Sequence, residues 1–473
     1  MSRTVVKLTD DEKRMLQGEM GSVRQTCMAY LVEMAEIAGA ERLVDLDGTG
    51  DMHAPGIAMS PYYSVSIEEL RELVANGEHF AVPTFADKSP FPEQPPIDGW
   101  EQCNICSFRQ QNVRQDDPAF HDKAMHREEF ELLRKMGMLT SHSCANYLTA
   151  TYWPTIGQHC SWFESSQIPY CNAVLGARTN FDGSFATCFL GKAPYYGMHV
   201  TENRYGTMLI KTDRLISTDL EWDVFGYAVG EAARCGVPVL TGTTKPTTTQ
   251  LQKFNSAVHT GGAVEMYHIP GSTPEAPTLE FAFGGKKPAE EVLVGEKELR
   301  AAYDYLNYHA TDEVDMVYLG CPHLNIVDLM KLSIKLEGKK VKIPLWIMTN
   351  PWLYNTAKDL GYQKIFSDAG AVLMSGACLA AMGAVPEGVR CIAVDTAKQA
   401  NYVTGCYPEA DAKLDVCYGT TDECIDAALT GRWRGEWRSG NENDTHLRTH
   451  RISRQGHSRG AGLPDAAAGI HKR

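Results

Sequence analysis

The first residues of the chain, MSRTVVKLTDDEKRML, contain no apolar h-region such as a signal peptide has. Nor does any run approach the ~20 apolar residues that a membrane span requires. Together these absences predict a cytoplasmic protein, with no membrane partner, whose 14 cysteines stay reduced. Positive charge is also scarce. With 45 Lys and Arg against 59 Asp and Glu, the formal charge of -14 argues against a nucleic-acid surface on the body of the protein, because phosphate binding needs clustered cations. No internal repeat is present. The Cys103 and Cys106 pair (CNIC) lacks the second pair at matching spacing that zinc sites of this kind need.

What is present is a chain of 473 residues, 43% hydrophobic, long enough for two or three α/β subdomains with a sizeable core. Apolar residues recur at helical spacing from Asp10 to about Ala38, and a further helix opens at Ser66-Ile67-Glu68-Glu69, a capping-box pattern. The same spacing predicts helices over 127–136, 221–234 and 297–309, with a strand at 237–240. Between 315 and 400, short apolar runs at 315–320, 343–348, 371–375 and 391–395 alternate with helical stretches, which predicts a parallel sheet flanked by helices. Residues 151–210, rich in Trp, Tyr, Ser, Asn and Gly, read as loops around a site. From Gly431 to Arg473 there are nine Lys or Arg against four Asp or Glu, with almost no apolar side chains after Trp437. Residues 433–473 are therefore expected to form a basic, disordered tail.

In open α/β sheets, ligands bind beyond the carboxyl ends of the strands. The run 315–320 leads directly into Cys321, the run 371–375 stops three residues before Cys378, and the run 391–395 delivers Lys398 at the same level. A run at 137–140 ends near Cys144. One crevice is thus expected to gather three cysteines and a lysine. Three thiolates suit an iron-sulfur centre with an open position; a zinc ion completed by His323, or simple burial of the thiols, are the alternatives. The segment 157–183 concentrates Glu164, Ser165, Ser166, Asn172, Arg178, Thr179 and Asn180, polar groups that need partners if buried and that a small polar ligand would supply. Arg178 suits a carboxylate, and Lys398 can act as a compact counter-charge. The plain alternative is a solvated loop in which Arg and Glu pair with each other. Gly48, Gly50 and Gly56 in the loop 47–61 let the backbone approach a ligand, or else belong to an ordinary turn-rich connection.

Several ordered motifs resemble the large or catalytic part of the aconitase X family. They are LTDDEKRMLQGEMG near the start, SHSCANYL at 141–148, GQHCSWFESS and CNAVLGARTNFDG within 157–183, YYGMHVTENR at 195–204, GCPHLN at 320–325, MSGACLAA at 374–381 and VDTAKQANYVTG at 394–405. The resemblance covers about residues 7–432. It implies an α/β, aconitase-like catalytic body over 1–432, with parallel sheets flanked by helices and subdomain boundaries near 211 and 295 around a central cleft. It further implies an iron-sulfur dehydratase in which Cys144, Cys321 and Cys378 hold the cluster, [2Fe-2S] in preference to [3Fe-4S] or [4Fe-4S]. Gly56, Ile57 and Ala58 would line the substrate, and Ser165, Ser166 and Lys398 would bind it. The chain departs from the family pattern at Gln158, where a Glu is common, and at 83–94 (PTFADKSPFPEQ), where archaeal-type members carry an Asn-Pro-Ala-Gly-Met-like segment. Family members take a serine base from a swivelling domain, and nothing after Cys424 resembles one, so a small swivel-domain subunit is the expected partner. The expected reaction is dehydration of a small hydroxy acid, cis-3-hydroxy-L-proline to 1-pyrroline-2-carboxylate, with mevalonate 5-phosphate as the alternative substrate. From another class, the alternative is a non-catalytic binding or scaffold protein on the same fold.

Overall fold

The computed structural model describes residues 5–52, 65–87, 123–148, 153–379, 385–386, 388–403 and 414–437. In chain order its strands are β1 (Leu43–Asp45), β2 (Gly50–Met52), β3 (Thr84–Ala86), β4 (Lys192–Pro194), β5 (Met208–Lys211), β6 (Pro238–Leu240), β7 (Glu290–Leu293), β8 (Met316–Leu319), β9 (Leu345–Thr349), β10 (Val372–Ser375), β11 (Cys391–Val394) and β12 (Asp415–Tyr418). The apolar runs of the carboxyl-terminal half pair in parallel as one five-stranded sheet, ordered β10-β9-β8-β11-β12. A three-stranded parallel sheet, β6-β5-β7, serves the middle of the chain, and β1 with β4 and β2 with β3 form two small pairs.

β8 (MVYL) and β11 (CIAV) are apolar throughout because helices cover both faces of a parallel sheet. Val317 and Leu319 pack with Leu329, Leu332 and Leu336 of the helix Ile326–Leu336 and with Ile425 of the helix Thr421–Thr430. Met316 and Tyr318, on the opposite face, join Trp222, Phe225 and Phe254 in the largest core. These three side chains come from the helices Asp219–Ala233 and Thr248–Gly262, each opened by a threonine capping box. The two helices cross in backbone contact. A Cβ on Gly262 would lie 1.8 Å from the Gly230 carbonyl oxygen, and one on Gly226 would lie 2.9 Å from the Phe254 carbonyl.

Three expectations are corrected. The helical stretch from Asp10 is two helices, Asp10–Leu16 and Ser22–Ala38, parted by Gly18 and Gly21 at φ of 83° and 98°. Residues 137–140 form no strand, because pairing with β3 is confined to a single bridge between Leu139 and Phe85. The segment expected as loops keeps a largely irregular backbone from 153 to 184, but it is packed, with Cys160, Trp162, Ile168, Cys171 and Ala177 forming a small core of their own. Among the described residues no helix is long and apolar enough to cross a membrane. The Cys103 and Cys106 pair and residues 438–473 of the tail lie outside the described residues.

Candidate active site

β8 ends where Gly320, at φ 118°, turns the chain toward Cys321; any side chain there would strike the Met348 carbonyl. Cys378 follows β10, and Cys144 lies in the loop after the helix Lys123–Lys135. All three cysteines are buried. Their loops meet on one residue, His323. Its backbone amide donates to Cys144 Sγ (3.3 Å), its Nε2 bonds the Ala377 carbonyl (2.7 Å) and its Nδ1 bonds Ser143 Oγ (3.1 Å). A carbonyl can accept but not donate, so Nε2 carries the proton and Nδ1 accepts from the serine. With both ring nitrogens engaged, His323 offers no lone pair to a zinc ion, and the zinc alternative loses its fourth ligand. Among the described residues no three His, Cys, Asp or Glu side chains are grouped to hold a single metal ion.

The lysine and serines join the same place. Thr396 donates to the Cys321 carbonyl, and Ser166 Oγ donates to the Cys144 carbonyl (2.8 Å). Lys398 Nζ bonds the Glu164 carboxylate and Ser165 Oγ (2.8 Å), with both charged side chains buried. Glu164 Oε1 also accepts from Ser165 Oγ (3.1 Å), Ser166 Oγ (3.1 Å) and the Ser166 amide (3.3 Å). Burial pushes the Cys321 thiol well up. Lys398 pulls it back, while Cys378, Cys144 and Glu164 push it further, so the three thiols and the ion pair act on one another. Burial and the Lys398 charge likewise push His259 down to about 4, leaving a neutral imidazole near the pair.

Three buried thiols of this kind fit an iron-sulfur cluster. Ionised sulfur is costly there unless bound cationic iron offsets its charge, and thiolate is the ligand such clusters take. The structure thus brings together Cys144, Cys321, Cys378, Ser165, Ser166 and Lys398. Arg178 does not join them: its Nη1 bonds the His199 carbonyl (2.8 Å), and its charged neighbours are Arg204, Glu275 and Glu202. Gly48 and Gly50 make room for protein sulfur, since a Cβ on either would lie 2.4 Å from Cys160 Sγ or Cys188 Sγ. Gly56, Ile57 and Ala58 lie outside the described residues. Sequence reasoning did not assign Glu164 to the site, nor His323 its role as the tie between loops.

Sequence profiles of the aconitase X first, second and third domains match residues 5–202, 206–304 and 314–430. The chain is 28% identical to the phosphomevalonate dehydratase large subunit of Methanocaldococcus jannaschii, over 88% of this chain and 99% of that one. Its counterpart in Methanothermobacter thermautotrophicus is 30% identical, over 85% and 94%. The cis-3-hydroxy-L-proline dehydratase of Pseudomonas aeruginosa is 29% identical, over 89% of this chain and 70% of that one. The crystal structure of Thermococcus kodakaraensis aconitase X in its holo form superposes with a TM-score of 0.73 at 27% identity, covering 89% of this chain and all of that one.

Proposed function

Because this chain belongs to the aconitase X family, and is a hydro-lyase as its dehydratase relatives are, we propose that it dehydrates cis-3-hydroxy-L-proline. A proton leaves C2, hydroxide leaves C3 and a C2=C3 double bond forms; the resulting enamine then tautomerises to 1-pyrroline-2-carboxylate. Cys144, Cys321 and Cys378 would hold the iron-sulfur cluster, [2Fe-2S] by preference. When bound, such a cluster would supply Lewis acidity to make the C3 hydroxyl a better leaving group.

Lys398, presented with Ser165 and Ser166, holds the substrate carboxylate and offsets its charge, which also eases loss of the neighbouring C2 proton. Glu164 holds that lysine in place while the site is empty. By the family resemblance Gly56, Ile57 and Ala58, which lie outside the described residues, would line the substrate. The base is a serine on a small swivel-domain subunit, a partner supported by the relatives named large subunits.

The observation that carries this choice of substrate is the sparse positive charge. Lys398 is the cation that acts most strongly on Cys321, and the loop 53–64 contains no Lys or Arg. One cation matches one carboxylate, whereas a phosphoryl group calls for more. A second reading, dehydration of mevalonate 5-phosphate, is favoured by relatives so named that align over nearly their full length. Assays of the chain, co-expressed with a small subunit, on both compounds decide between them. Turnover of the hydroxyproline alone is expected, and turnover confined to the phosphate ester would reverse the assignment.

A further inference from the structure

We propose that Asp223 is a positioning residue for Lys398: its carboxylate fixes the start of the helix Ala397–Val403 and thereby the place where the Lys398 ammonium is presented. This rests on the reading of Lys398 as the group that holds the substrate carboxylate.

Asp223 lies on the helix Asp219–Ala233, in a different part of the chain from the strand and helix that carry Lys398. Its Oδ2 accepts from the Ala397 amide (2.6 Å) and from the Tyr418 hydroxyl (2.6 Å), and all three residues are buried. An amide in the first turn of a helix has no carbonyl partner within that helix, so a buried one needs an acceptor from elsewhere. Asp223 supplies it. The two residues before Ala397 are tied down as well. Lys253, on the helix Thr248–Gly262, bonds the Asp395 carbonyl and its carboxylate (3.3 Å), and Thr421 donates to that carboxylate (2.7 Å). Thr396 donates to the Cys321 carbonyl.

Three consecutive residues are thus each held by a different element, and Lys398 comes next. Beyond it, the ammonium meets Glu164 and Ser165. A long, flexible stem is aimed in this way by the fixed backbone it leaves from, which is what holding a substrate group at one point requires. The load falls on one oxygen, because Asp223 Oδ1 has no hydrogen-bond partner. Burial pushes the carboxyl up to about 7, and a protonated carboxyl still offers Oδ2 as an acceptor. A carboxamide can therefore do the same work, and a methyl group cannot.

The test uses the cluster-loaded chain with its small subunit. KM for cis-3-hydroxy-L-proline is measured with the dissociation constant of L-proline, which keeps the carboxylate and lacks the leaving hydroxyl. Asp223→Ala is expected to raise both by about 10- to 100-fold, with a smaller effect on kcat and unchanged iron content. Asp223→Asn is expected to stay within about threefold of the parent. Should the alanine variant fail to fold, Asp223→Glu, which displaces the acceptor by one methylene, is expected to show the same rise. Unchanged constants in the Ala and Glu variants, with Lys398→Ala impaired, would overturn the positioning role and leave the Lys398 reading standing. An Asn variant as impaired as the Ala variant would also overturn it. A Lys398→Ala variant that binds and turns over normally removes the reading of Lys398 and this inference with it.

Discussion

His323 joins three loops that are far apart in sequence, and it does so through hydrogen bonds of its amide and both ring nitrogens. Truncating it to alanine leaves the buried Ala377 carbonyl without its partner, at about 1–3 kcal/mol, and leaves the Ser143 hydroxyl proton without its acceptor while its oxygen keeps the Ala145 amide. His323→Ala is therefore expected to lower the thermal midpoint and the iron bound per chain together. Equal iron in variant and parent at matched folding would show that the cysteine loops hold their places without it. The companion tie, Glu164 to Lys398, spans 234 positions. Local reading of the sequence gave Arg178 to a substrate carboxylate, with its pairing to Glu in a solvated loop as the alternative, because both sit in one dense segment. The fold instead sends the arginine to a backbone carbonyl and gives Glu164 to a lysine on another element.

At the scale of elements, the crossing of the helices Asp219–Ala233 and Thr248–Gly262 gives the clearest test. Gly262→Ala places a methyl group against the Gly230 carbonyl, a backbone atom that cannot step aside. Overpacking of this kind costs about 1–3 kcal/mol, and here the upper end or beyond is expected, read as a lower urea midpoint. A midpoint equal to the parent's would mean that the helices are farther apart than described. These helices carry Asp223, Gln252 and Lys253 to the loops of Lys398 and Cys321, so spreading them should also disturb the site. The strands ending at Cys321, Cys378 and Lys398 were legible in the sequence because buried parallel strands are unbroken apolar runs, and such runs stop where the loops begin. The run before Cys144 misled for the opposite reason: its pairing is one bridge long, too short to impose a strand. β7 escaped notice because EEVL is largely exposed and has no apolar face to detect. The Ser66 cap was visible, since a side chain that satisfies an early helix amide leaves its mark in a few adjacent residues.

For the whole molecule, the groups of the candidate site and those that position them come from distant stretches of one chain: Cys144 and Glu164 to Ser166 from the first, Asp223 and Lys253 from the second, and Cys321, Cys378 and Lys398 from the third. A chain with a charge of -14 places a buried lysine, paired with Glu164, close enough to act on Cys321. The proposed division of labour leaves the leaving-group side of the reaction on this chain and the proton-abstracting side on its partner. The most direct test is iron content and visible absorption after anaerobic purification of the parent and of Cys321→Ser. Stoichiometric iron with thiolate-to-iron absorption in the parent, both lost in the variant, is the expected result. A parent with neither iron nor visible absorption would contradict the assignment and leave a binding protein on this fold.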